Sequence, residues 1–145
     1  MENHPALVGF VPTTRGVDLD PPESHKDFVW AEDFYYSLDE YEGIDVSTYS
    51  FSWAATHNVR RAIVTVDPGP PLDWCKTKIL LARNNHLKLY LCYPSLRRKP
   101  EVFLGSFNFV SPTLVDGVIR VRGGEAQHLI NWFNHTWKTH YRHGH

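Results

Sequence analysis

Two apolar runs constrain this chain more than anything else in it: HLKLYLCY over residues 86–93 and EVFLGSFNF over residues 101–109. Both are rich in strand-favouring residues. The segment between them, PSLRRKP, holds two prolines and breaks the run. In a strand, residues two apart share a face. His86 and Lys88 therefore point one way, and Leu87, Leu89 and Leu91 the other. Ser106 and Asn108 are again two apart. If the runs pair as neighbours, an imidazole, an ammonium, a hydroxyl and an amide meet in one patch. A lysine on an otherwise apolar strand needs an anion or water, and these four groups suit a phosphate.

The pattern His86-Leu87-Lys88 followed by Gly105-Ser106-Phe107-Asn108 resembles the HxK…GSxN signature of the phospholipase D superfamily, over roughly residues 44–137. That resemblance implies an α/β fold with a mixed central β-sheet flanked by helices and one motif per chain. It implies metal-independent cleavage of phosphodiesters with no cofactor. His86 would attack phosphorus, and Lys88 and Asn108 would hold the non-bridging oxygens, with Ser106 beside them. A second histidine would protonate the leaving group. No other histidine here has lysine two residues on, so the resemblance implies a homodimer that brings two copies of the site together. The family's motif aspartate falls at Tyr93, as in the tyrosyl-DNA phosphodiesterase branch, which also lacks it. Glu101 is the candidate substitute.

Length and composition agree with one domain spanning residues 1–145. It divides into an acidic region at 1–43, a motif-bearing core at 44–138 and a tail at 139–145. The net charge of −1 conceals a split. Residues 1–59 hold two basic and eleven acidic side chains, and residues 60–145 hold thirteen and five. A basic half around a phosphate-suited patch favours nucleic acid, DNA or RNA, as partner. Arg97, Arg98 and Lys99 read either as a solvated loop or as contacts to the phosphate backbone beside the patch. The two cysteines lack metal-ligand spacing and read as free thiols. No apolar run reaches the ~20 residues that cross a bilayer, and residues 1–10 lack a signal-peptide layout. These features predict a cytoplasmic protein that does not engage a membrane.

Further elements follow from pattern. A strand is expected at Ala6–Val11. Ser24 would cap a helix starting near His25, with Phe28, Ala31, Tyr35 and Leu38 on its apolar stripe and Gly43 at its end. Ile44–Phe51 and Ala62–Val66 read as strands, Trp53–Arg60 as a short helix and Leu72–Lys76 as a helical turn. Lys78–Arg83 is compatible with helix or strand, and Asn84-Asn85 turns the chain. Val118–Val121 is a strand, with Arg120 and Arg122 on one face. Ala126, Leu129, Ile130, Phe133 and Trp137 follow the 3.6-residue period of a helix. Besides a nuclease, two readings stay open: a catalytically degenerate binding protein for nucleic acid or a protein partner, and a phosphodiesterase acting on a lipid or small molecule.

Overall fold

The computed structural model describes residues 16–17, 19, 23, 26–53, 58–109 and 116–142. Its seven strands are β1 (Phe28–Trp30), β2 (Gly43–Ser47), β3 (Val59–Val64), β4 (Lys78–Leu81), β5 (Leu89–Tyr93), β6 (Glu101–Gly105) and β7 (Gly117–Val121). Helix α1 (Ala31–Ser37) runs into a single 3₁₀ turn at Leu38–Glu40, and α2 covers Gly123–His140. The sheet order is β1-β7-β6-β5-β2-β3-β4. Strands β2, β3 and β4 are mutually parallel, and every other pairing is antiparallel. The chain is thus α/β with a mixed sheet.

Alternation in the two runs governs which face is which. Leu89 and Leu91 of β5 are fully buried beneath α2 with Ile63, Val102, Ile130 and Phe133, and Leu87 packs on the same cluster. Tyr90 and Cys92 point to the opposite face. There α1 contributes Ala31 and Phe34, which meet Val46, Phe103, Phe109 and Val118. The Phe34 ring sits 5.2 Å from Tyr90 and 5.0 Å from Phe103. A helix on each face gives three layers around the sheet. The period-3.6 stripe of α2 holds as read, with Ile130 and Phe133 deepest.

Several expectations shift. Phe28–Trp30 is not the first turn of a helix. It pairs with β7, Phe28 opposite Ile119 and Trp30 opposite Gly117, and Ala31 N–H donates to Asp116 O at 2.7 Å. The edge of the sheet claims these residues before helical propensity can, so α1 starts at Ala31 and buries Phe34 rather than Tyr35. Gly43 opens β2 instead of ending a helix. A Cβ there would stand 2.9 Å from both Arg60 Cδ and Leu96 Cδ2, so glycine lets the Arg60 stem and the 94–100 loop close over the strand. Val59 and Arg60, expected to end a helix, begin β3. Lys78–Leu81 resolves as a strand, and Asn84 adopts φ 53° in the turn before β5. The expected strand at Ala6–Val11, the Ser24 cap, residues 54–57 of the expected short helix and the end of the tail lie outside the described residues.

Candidate functional site

The ends of the parallel strands β2 and β3, the start of β5 and the end of β6 meet at one edge of the sheet. Beyond the carboxyl ends of parallel strands is where α/β folds commonly place ligands. His86 and Lys88 stand just ahead of β5 rather than within it. The ladder still continues to them: Leu89 faces Leu104, and Gly105 N–H donates to Lys88 O at 2.8 Å. Lys88 is therefore opposite Gly105 on the Tyr90 face, as the alternation predicts.

Asn85 anchors this approach. Its Nδ2 donates to Ser47 Oγ at 2.9 Å and Ile63 O at 3.0 Å, while its backbone N–H donates to Thr65 Oγ1 at 2.7 Å. One side chain thus ties the segment ahead of His86 to the ends of β2 and β3. Tyr49, two residues past β2, lays its ring on His86, with centroids 4.5 Å apart and planes 15° apart. A ring stacked on its face keeps both nitrogens at its rim open. His86 itself is exposed.

Asn108 is fixed from the β6 side. Its Oδ1 accepts the N–H groups of Tyr49 and Ser50, each at 3.2 Å, and lies 3.3 Å from Thr48 Oγ1. Thr48 Oγ1 accepts Phe109 N–H at 3.0 Å and donates to Ser50 O at 2.9 Å. With Oδ1 held by backbone donors, the Nδ2 hydrogens of Asn108 are directed away from the loop. They meet no acceptor among the described residues, and neither does the Lys88 ammonium. The Tyr49 backbone and ring link His86 to Asn108.

Ser106 stands apart from this trio. Its hydroxyl donates to Gly117 O and accepts Gly117 N–H, both at 3.3 Å, and so closes the β6–β7 turn. Tyr90 supports the same loop from below: its hydroxyl donates to Phe107 O at 2.9 Å, and burial pushes its pKa far above the ordinary tyrosine value. Gly105 allows that approach, since a Cβ would come within 3.0 Å of the Tyr90 ring and 3.1 Å of Val118 Cγ1. The close backbone approach anticipated at this glycine is to a core tyrosine.

Three other candidates are elsewhere. Arg97, Arg98 and Lys99 are exposed on the β5–β6 connection, at the opposite end of both strands. Five residues of strand put them about 17 Å or more from His86, so they do not flank it. Lys99 Nζ donates to Gln127 Oε1 of α2 at 2.8 Å. Tyr93, at the motif aspartate position, is also at that far end, with the Arg60 guanidinium 4.6 Å over its ring. Glu101 accepts the Tyr41 hydroxyl at 2.6 Å and faces Arg120 at 3.8 Å there. It therefore supplies no carboxylate to the patch. Arg122 of the expected basic face pairs with Asp27 at 3.0 Å.

Sequence reading alone missed Tyr49, Asn85 and Tyr90 as builders of the site. The doubled asparagine before His86 was a visible signal, because a second asparagine after the turn has no turn role of its own. Among the described residues, no helix is long and apolar enough to cross a membrane. No protein-family model, curated protein or solved structure matches the chain.

Proposed function

We propose that the chain is a metal-independent phosphodiesterase, a nuclease acting on DNA or RNA, whose working site joins two copies of the chain. The observation that carries this reading is the trio at the sheet edge. His86 offers open ring nitrogens, and Lys88 and Asn108 Nδ2 offer N–H donors that meet no acceptor among the described residues, in a frame fixed by Asn85 and Tyr49. In the reaction, a neutral His86 nitrogen bonds to phosphorus as the phosphorus–oxygen bond to the leaving group breaks. The imidazolium of the second copy's histidine gives its proton to that oxygen. Water then attacks phosphorus, the second histidine takes a proton from it, and the P–N bond breaks to free His86. Lys88 and Asn108 stabilise the charge that gathers on the non-bridging oxygens. The basic half of the chain supports a polyanionic substrate.

A second reading, a binding protein without turnover, is favoured by one observation: both hydrogen-bonding functions of Ser106 are engaged with Gly117. Nuclease assays on single- and double-stranded DNA and RNA in excess EDTA separate the two. The expected result is cleavage that persists in chelator, falls at least ~1,000-fold in His86→Ala, and comes from a dimer by light scattering. Salt-sensitive binding by a folded chain without cleavage selects the second reading.

A further inference from the structure

At the opposite end of the sheet, a β-bulge places two consecutive arginines on one carboxylate. Strand β3 pairs with β2 as Ile44–Val59 and then Asp45–Arg61, so Arg60 is the extra residue. Adjacent residues on a regular strand would face opposite ways. Here Arg60 Nη2 and Arg61 Nη2 both reach Asp45 Oδ2, at 2.8 and 2.6 Å. Asp45 is fully buried. Arg61 also lies over the Phe133 and Trp137 rings, at 5.0 and 5.5 Å. Both Nε atoms are buried without partners. Arg61 Nη2 also donates to Asn134 Oδ1 at 2.8 Å. The Arg60 and Arg61 side chains remain 37% and 20% exposed, so each keeps an open side.

That open side lines a concavity of about 480 Å³, whose walls also carry Lys76, Lys78, Trp74 and Trp137. No acidic residue belongs to the lining, and among the described residues neither ammonium has an acceptor. Four cations thus converge with only the shared Asp45 carboxylate to offset them, and two indoles complete the wall. Trp74 is 55% exposed. Trp137 is already stacked between other side chains, with Phe133 at 6.2 Å and Tyr141 at 4.5 Å, so Trp74 is the indole with a face to offer. Cationic donors beside an accessible aromatic face are the combination that binds a phosphate and its base together, and the volume is in the range of small-ligand sites.

We propose that this concavity is a second binding site, for a nucleoside phosphate. The phosphate meets Lys76, Lys78 and the open guanidinium edges, and the base stacks on Trp74. The ligand is either a free nucleotide or the phosphorylated end of a single strand. This assignment does not depend on the reading of the His86 edge, which lies across the full length of the sheet.

The test uses the full chain carrying Lys88→Ala, so that the His86 edge does not report. Tryptophan fluorescence is titrated with 5′-AMP, with inorganic phosphate and with a 5′-phosphorylated oligonucleotide. Alkylation of Cys75 is followed in parallel. Cys75 lines the concavity and is partly accessible, whereas Cys92 is fully buried. The expected result is saturable quenching by 5′-AMP with slowed Cys75 alkylation. Affinity should fall about tenfold in Lys76→Ala/Lys78→Ala and about tenfold in Trp74→Ala. These exposed positions are chosen because removing Arg60 or Arg61 would disturb the buried carboxylate. Tighter binding of the oligonucleotide than of 5′-AMP assigns the strand end, and the reverse assigns the free nucleotide. Absence of saturable binding, or equal binding by the double lysine variant and its parent, overturns the site. Inorganic phosphate binding as tightly as 5′-AMP overturns the nucleotide assignment.

Discussion

The two ends of the sheet treat charge in contrasting ways. At the far end, Asp45 is sealed beneath Arg60 and Arg61, and Tyr41, Glu101 and Arg120 form a second polar group. At the His86 end, one imidazole and one ammonium stand without counter-charges among the described residues, while the neutral groups around them are closely bonded. Asn85, Thr48, Asn108 and Ser106 are engaged largely with backbone. The contrast teaches that position in the sheet says little about role. What separates a structural cation from a functional one is whether the fold has supplied its anion. Arg61 contributes to folding through Asp45 and the α2 rings. Lys88 has no such partner among the described residues.

If that distinction is right, breaking the far end should cost most. Asp45→Ala removes a fully buried carboxylate from two partly exposed guanidiniums and should destabilise by about 3 kcal/mol, read as a shift in the urea unfolding midpoint. A change below about 1 kcal/mol would mean that solvent already screens the pair and that the two ends are alike.

Alkaline unfolding probes both ends through protons. Burial is the leading cause that raises Tyr41, Tyr93 and Cys92 at the far end, and at the other it raises Tyr90 and pushes Tyr35, packed on Phe109, up to about 12. Each group is neutral when protonated, so above the ordinary values of 9.0 for cysteine and 10.0 for tyrosine the native chain holds protons that the unfolded chain releases. Their contribution is complete below about pH 9 and is lost as pH rises towards 12 and beyond. The unfolding midpoint should therefore fall steeply across pH 9–12. A midpoint level across that range would contradict the burial of these side chains.

Smaller effects belong to the His86 end. Asn108→Ala removes the acceptor of two backbone N–H groups and should cost about 1–2 kcal/mol, with amide exchange at Tyr49 and Ser50 speeding up before that of β5. Unchanged exchange at those amides would detach Asn108 from the frame. Lys88→Met, which keeps the stem and removes the charge, should alter stability by less than about 0.5 kcal/mol while lowering nucleic-acid affinity. Destabilisation beyond 1 kcal/mol would make Lys88 as structural as Arg61.

Much of the His86 end was legible because its information is local. Alternation in residues 86–93 assigned Lys88 and the leucines to opposite faces, and pairing with 101–109 brought Asn108 alongside. Helix α2 was legible for the same reason, its period repeating over several turns. Long-range competition was not legible. Phe28–Trp30 has the spacing of a helix start, and only the partner strand β7 shows why it is extended. The Asp45–Arg60–Arg61 group was hidden by the bulge, because regular alternation sends consecutive arginines to opposite faces. Arg97–Lys99 are close to the motif in sequence yet distant in space, since a hairpin loop lies at the end of the strands opposite their other termini.

The pairing of β1 with β7 also has a meaning for how the chain is made. Phe28–Trp30 leave the ribosome ahead of Gly117–Ile119, their partners, with strands β2 to β6 emerging in between. Until then the aromatic stripe of α1 has no sheet edge to hold it over Tyr90 and Phe103. Folding during synthesis would therefore assemble the middle strands first and dock the amino-terminal helix last. An unfinished chain would display Phe34 and its neighbours to whatever factors attend the ribosome exit.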